Sequence, residues 1–278
     1  MLKQRVITAV IMALVLLTAI FYFPSFYFAV LIAGIVLIAA WEWSQLVYLK
    51  GATRFLYVGL MAVLLVLAGW WLGFSTQGDF SQSKPLIAIV GIAGLWWLLA
   101  VFFVAVYPRT KIWAHKPIQA LIGVLVLLPT WIGLVFLRSE NNGQWLIIMM
   151  IIAVVCADTG AYFVGRRFGK RKLAPNVSPG KSWEGFYGGF VCSLFFALVL
   201  MTVLGFNKTN LWLLAILAVT SLASVYGDLL ESMLKRERGI KDSGNILPGH
   251  GGILDRADSI TAAAPVFTLM YLLSDWRF

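Results

Sequence analysis

Nine apolar runs dominate the sequence, at residues 6–23, 26–41, 55–72, 85–106, 117–137, 145–164, 185–204, 211–226 and 260–273. Crossing a hydrocarbon core about 30 Å thick takes roughly 20 apolar residues in a helix. Within lipid, a helix lets one segment satisfy its own backbone N–H and C=O groups. The expected fold is therefore all-α: a polytopic membrane protein of about nine transmembrane helices, forming a single integral domain over residues 1–278. Only 12% of the residues are charged, against about 25% in soluble domains, and the mean hydropathy is +0.88. The last two runs are short for a bilayer, so neighbouring polar turns extend them or they border a water-filled cavity.

The 22 Lys and Arg outnumber the 12 Asp and Glu, for a formal charge of +10. In a water-soluble chain that excess would suggest nucleic acid. In a membrane chain it reads as loop bias and contact with anionic lipid headgroups, so membrane lipids are expected as partners and nucleic acid is not. Alternate loops sort the cations sharply. One set collects Lys3, Arg5, Lys50, Arg54, Arg109, Lys111, Lys116, Arg166, Arg167, Lys170, Arg171, Lys172, Lys181, Lys235, Arg236, Arg238, Lys241 and Arg256, which is 18 of the 22. Lys84, Arg138, Lys208 and Arg277 fall on the other side, together with Asp79, Glu140, Asn141 and Asn142. The positive-inside rule then places the N-terminus in the cytoplasm, the C-terminus outside, and both long polar loops, 165–184 and 227–259, on the cytoplasmic face.

Lys3 and Arg5 before an apolar run resemble a signal peptide, but no small-x-small spacing precedes Pro24 and a second run follows at once. The run is expected to remain as an uncleaved first span. Cys156 and Cys192 lie inside apolar runs and suggest neither a disulfide framework nor a metal site. The N-terminal helices, 1–137, carry no charge deep in the membrane; Glu42, between Trp41 and Trp43 at a helix end, reads as part of an interfacial belt. Candidate chemistry is confined to the catalytic helices of 145–278.

Asp158 lies inside the sixth run, where an ionisable group is costly unless it faces protein or water, so a functional role is the default expectation. In the loop that follows, Ser178-Pro-Gly-Lys181-Ser182 resembles the tail of a phosphate-binding P-loop, but Pro175 stands where the motif needs glycine and no preceding strand is evident. What remains is a lysine and backbone donors at the start of the seventh helix, a place that favours an anion. Further on, Ser224, Asp228, Glu231, Ser232 and Lys235 share one helical face. Pro248-Gly-His-Gly-Gly252 has to be a turn, and immediately after it Asp255 and Asp258 lie on one face of the ninth helix. Mg²⁺ usually takes one or two carboxylates plus substrate phosphates. Asp228 and Asp255 supply such a pair, with Asp258 and Glu231 in reserve. A lone His250 with no nearby cysteine argues against zinc. His250 itself is open between orienting a phosphate, transferring a proton and hydrogen-bonding its own turn.

The pattern Ser232-x-x-Lys235-Arg236, Lys241-Asp242, Pro248-Gly-His-Gly-Gly252, Asp255-Arg256-x-Asp258 resembles the signature of bacterial phosphatidate cytidylyltransferases, the CDP-diacylglycerol synthases. The resemblance extends through Ala157-Asp-Thr-Gly-Ala-Tyr162, Lys172-Leu-Ala-Pro, Ser178 to Ser182, Ser224 to Ser232, Ala40-Trp-Glu-Trp43 and Met1-Leu-Lys-x-Arg5. It implies a multi-pass enzyme of the bacterial inner membrane that takes CTP and phosphatidate to CDP-diacylglycerol and pyrophosphate and requires Mg²⁺, a second, monovalent cation being left open.

On this reading the catalytic set is Asp228, Lys235, Arg236, Lys241, Asp242, His250, Asp255, Arg256 and Asp258, with Asp228, Asp255 and Asp258 as metal ligands. Lys235, Arg236, Lys241 and Arg256 neutralise the triphosphate and departing pyrophosphate, while Asp242 and Asp258 orient these cations. The substrate-binding set is Asp158, Ser178, Lys181, Ser182, Ser224, Ser232, Gly251 and Gly252, expected to close one cavity with the metal site. A CTP-dependent lipid kinase and an ion-coupled transporter are the rivals; a transporter would place its polar groups near mid-membrane. Gly185-x-x-x-Gly189 serves close helix packing either within one chain or across a homodimer.

Overall fold

The computed structural model describes residues 2–74, 80, 83–109 and 112–277; Met1, Asp79 and Lys111 of the sequence reading lie outside them. Long helices form at each apolar run: α1 (Leu2–Tyr22), α2 (Ser25–Leu46), α3 (Ala52–Trp71), α4 (Ser83–Val106), α5 (Lys116–Ser139), α6 (Gly143–Phe168), α7 (Trp183–Leu204), α8 (Trp212–Arg238) and α9 (Leu254–Leu273). Eight of them are long and apolar enough to cross a membrane.

α9 is not among those eight, for a structural reason. Asp255, Arg256 and Asp258 occupy its first turns, and Leu254, Ser259, Thr261 to Thr268 and Tyr271 are buried within the protein. A helix enclosed by other helices needs no apolar exterior, because protein rather than lipid surrounds it. It packs on α8, α5 and α4. Its interior Pro265 removes one backbone donor and frees the carbonyl of Thr261 four residues earlier. The Thr130 hydroxyl of α5 donates to that oxygen at 3.0 Å, which replaces the lost partner in a setting without water.

α6 and α7 approach through glycines. A Cβ on Gly160 would come within 2.8 Å of the Gly188 carbonyl oxygen and of Cys192 Cβ, and one on Gly185 within 2.7 Å of the Ala161 carbonyl oxygen. The Gly185-x-x-x-Gly189 spacing thus serves packing within the chain. α1 shows the opposite behaviour: along it Ala19 and Ile20 are the buried residues, while Val6, Ile7, Val10, Ile11 and Leu14 are exposed.

The sequence reading found no strand before α7, and this is corrected. Residues Lys172–Ala174 (β1) and Ser178–Ser182 (β2) form an antiparallel hairpin, with Lys172 opposite Ser182 and Ala174 opposite Ser178. β2 runs straight into α7, whose first turn is capped by the Ser182 hydroxyl oxygen accepting the Gly185 N–H at 3.2 Å. The P-loop reading still fails at Pro175, where the motif needs glycine.

Both long polar loops reach the same end of the bundle, as alternate loops must. Arg236 Nε of α8 donates to the Val177 carbonyl in the hairpin turn at 3.2 Å, and Thr8 of α1 donates to the Pro248 carbonyl at 3.1 Å. At the opposite end Tyr271 donates to Glu140 at 3.0 Å, and Trp276 to Asn210 at 3.1 Å.

Candidate functional site

α8 carries two rows of polar side chains, and each row finds a different partner. Asp228 receives Lys181 Nζ at 2.7 Å on one oxygen and the Ser232 hydroxyl at 3.1 Å on the other. One turn on, Lys235 Nζ lies 3.0 Å from Glu231 and 2.7 Å from Asp255. Ser224 is fully buried and donates to the Ser221 carbonyl of its own helix, so the expected single face divides. The cations Lys235, Arg236 and Arg238 occupy the last turn of α8, where they also complement the helix dipole.

Acids meet the opposite dipole end on α9. Asp255 accepts the Gly252 N–H at 2.8 Å and the Ser243 N–H at 2.9 and 3.1 Å, in addition to Lys235. Glu42 reaches across from α2 and takes the N–H groups of Ile253 at 3.1 Å and Leu254 at 2.8 Å, with the Ser243 hydroxyl at 3.3 Å. Glu42 is fully buried; it caps α9 and does not belong to an interfacial belt. Sequence reasoning missed this residue because the second apolar run ends at residue 41 and Glu42 reads as a helix end, whereas α2 continues to Leu46 and holds it inside the helix.

The turn before α9 is held by its backbone. Gly249 and Gly251 have φ of 75° and 87°, a left-handed conformation that glycine adopts without a Cβ penalty. Leu247 N–H donates to the Gly251 carbonyl at 2.9 Å. Arg256 donates through Nε and Nη2 to the His250 carbonyl, at 3.2 and 2.7 Å. His250 Nδ1 is buried and has no hydrogen-bond partner among the described residues.

The predicted residues do not close one cavity. A first cavity, about 440 Å³, is lined by Asp158, Ser178, Gly180, Lys181 and Ser182, and also by Tyr162, Gly165 and Arg166, which sequence reasoning did not select. A second, about 550 Å³, is lined by Lys241, Asp242, His250, Gly251 and Arg256, together with Arg5 from α1. Asp255, which accepts the Gly252 N–H beside the second cavity, is tied through Lys235 to Glu231 of α8, the helix whose Asp228 holds Lys181 of the first. Asp158 is exposed toward the first cavity, which meets the hydration an intramembrane carboxylate requires.

Among the described residues no three His, Cys, Asp or Glu side chains gather closely enough to cage an ion by themselves. This suits Mg²⁺, which completes its shell with water and substrate phosphates. Asp228 acts electrostatically on both Asp158 and Asp258, and Lys181 acts on all three. Asp258 accepts the Ser259 N–H at 2.8 Å through one oxygen. Glu231 is buried, and its second oxygen, Oε2, has no hydrogen-bond partner among the described residues. Hard oxygen donors and an orphaned carboxylate oxygen fit a divalent cation. Asp228, whose oxygens receive Lys181 and Ser232, and Asp255, whose oxygens receive Lys235 and two backbone N–H groups, would each have to exchange a donor to hold an ion.

Known proteins resemble this chain along nearly its whole length. The model described as "Cytidylyltransferase family" matches residues 3–274. A phosphatidate cytidylyltransferase of Haemophilus influenzae is 42% identical over 293 residues, covering 98% of this chain and 99% of the relative. That of Pseudomonas aeruginosa is 43% identical over 280 residues, with 99% of each chain covered. The Bacillus subtilis protein of the same name is 34% identical over 283 residues, 98% of each.

Proposed function

The chain belongs to the cytidylyltransferase family, and we propose how its polar end performs that chemistry. The reaction is transfer of CMP from CTP to phosphatidate, giving CDP-diacylglycerol and pyrophosphate. An oxygen of the phosphatidate phosphate forms a bond to the α-phosphorus of CTP, the α–β phosphoanhydride bond breaks, and its electron pair leaves on pyrophosphate. The nucleophile is already anionic at neutral pH, so the protein's work is to position two polyanions and offset their charge.

The observation carrying this assignment is the 2.7 Å contact between Lys181, from the hairpin strand, and Asp228 of α8. It joins the anion-favouring segment to the carboxylates. We assign the triphosphate to the first cavity, where Lys181, Arg166 and the start of α7 present positive charge. Lys235, set between Glu231 and Asp255, is held as a fixed cation toward the reacting phosphates. Mg²⁺ is the proposed cofactor, with Asp228 and Asp258 as its protein ligands; when bound it would neutralise phosphate charge and favour departure of pyrophosphate. The bundle end bearing both polar loops is assigned to the cytoplasm, where CTP is available, and this agrees with the cation bias of the loops.

The test uses purified protein, phosphatidate in mixed micelles and CTP labelled at either the α- or the γ-phosphorus. We expect α-label in the lipid and γ-label in pyrophosphate. Lipid carrying γ-label, with CDP released, would establish a lipid kinase instead.

A further inference from the structure

The second cavity opens beside an apolar groove. Gln4, Ile7, Thr8, Ile11 and Met12 of α1 face Leu247 and Pro248 across a space of about 430 Å³, and Leu247 and Pro248 also line the polar cavity that holds Arg5. α1 is tied to this turn at its polar end, by Thr8 donating to the Pro248 carbonyl at 3.1 Å and by Arg5 against Gly249, where an added Cβ would come within 3.1 Å of the arginine side chain. The next turns of α1 leave Ile7 and Ile11 exposed. A polar pocket and an apolar groove therefore share one wall and run from the headgroup level toward the hydrocarbon.

Charge identifies what fits. Arg5, Lys241 and Arg256 set against Asp242 leave the polar pocket with an excess of two positive charges when His250 is neutral. A phosphate monoester carries about −1.5 to −2 near neutral pH. Two of the five N–H donors of Arg256 are held by the His250 carbonyl, which fixes the plane of the guanidinium and leaves the others for a ligand. From Arg5 to Ile11 the helix descends about 9 Å at 1.5 Å per residue, which places the groove where the first carbons of an acyl chain lie below a phosphate bound at Arg5.

We propose that this paired site is where phosphatidate binds: its phosphate sits between Arg5, Lys241 and Arg256, and an acyl chain lies in the groove between α1 and Leu247-Pro248. Arg5 is then a lipid-binding residue, and the lipid enters sideways from the bilayer past the unpacked inner half of α1. This rests on the cytidylyltransferase reading and divides its substrates between the two cavities, CTP in the first and the lipid in the second.

The experiment measures Arg5→Gln, Arg5→Lys and Ile11→Trp in mixed micelles, with both substrates varied. Wild-type formation of CDP-diacylglycerol is the control; its absence would overturn the functional reading, whereas a normal wild type isolates the subsite. For R5Q we expect KM for phosphatidate to rise at least ~10-fold, the loss of one charge-assisted hydrogen bond, with KM for CTP unchanged and R5K recovering most of the loss. I11W should weaken dioleoyl-phosphatidate and spare dihexanoyl-phosphatidate. Thermal stabilisation by each substrate, read without turnover, should lose the phosphatidate response and keep the CTP response in R5Q. A rise in KM for CTP, equal effects on both chain lengths, unchanged kinetics in R5Q, or equal protection by phosphatidylglycerol and phosphatidate would each overturn the proposal.

Discussion

Asp255 and Asp258 lie one helical turn apart and resemble each other in the sequence, yet their surroundings differ. Asp255 is an anchor, receiving Lys235 and the N–H groups of Ser243 and Gly252. Asp258 accepts the adjacent Ser259 N–H and faces the charge of Asp228. The two substitutions to asparagine should therefore fail in different ways. Asp258→Asn is expected to lower turnover by about 10²-fold or more, as loss of a group that offsets transition-state charge does, with a raised Mg²⁺ requirement and unchanged thermal stability. Asp255→Asn leaves Lys235 with less compensation and should cost about 1–3 kcal/mol of stability, read as earlier thermal unfolding in detergent. Equal stability of the two variants would show that the anchor reading of Asp255 is wrong. Glu42 belongs to the same scale: one carboxylate from α2 satisfies two of the donors that open α9.

Among the elements, the α6–α7 pair decides where the hairpin sits. Gly160 meets the Gly188 carbonyl, Gly165 lies over Gly185, and directly beyond them Ser182 caps α7 while Lys181 reaches Asp228. Separating these helices would move the lysine away from its carboxylate. Gly160→Leu, on the face of α6 that packs against Gly188 and Cys192 of α7, is accordingly expected to abolish CDP-diacylglycerol synthesis by displacing β2, and cysteines placed at 181 and 228 should lose the crosslink they form in the parent background. Retained crosslinking and activity would mean that α7 tolerates the separation. α9 teaches the complementary lesson, since a strict hydropathy reading does not select it. It crosses the bundle because α4, α5 and α8 surround it, and Thr130 supplies the hydrogen bond that Pro265 removes.

Taken whole, the molecule has a polar end and a plain one. Arg5, Glu42, the hairpin and the 239–253 loop converge at the first, while Glu140, Tyr271 and Trp276 close the second. With Cys156 and Cys192 replaced, a single cysteine at Lys172 should resist a membrane-impermeant maleimide in intact cells, and one at Asn141 should react. The reverse pattern would invert the orientation and move the site away from cytoplasmic CTP.

Hydropathy by itself determined the helical membrane class, because lipid leaves a polar backbone few alternatives, and the ordering of apolar runs determined which loops share a face. The local motifs also announced the charged chemistry, since Pro248 to Gly252 forbids a helix and Asp158 has no business in lipid without a purpose. Only the tertiary structure decided the pairings: Lys181 with Asp228, Lys235 with Asp255, Glu42 with the first N–H groups of α9, and Arg5 with the 248–252 turn. It also separated one expected cavity into two. Spacing along a helix reveals which side chains share a face, but the partner that a face meets comes from another helix, and distance along the chain carries no record of it.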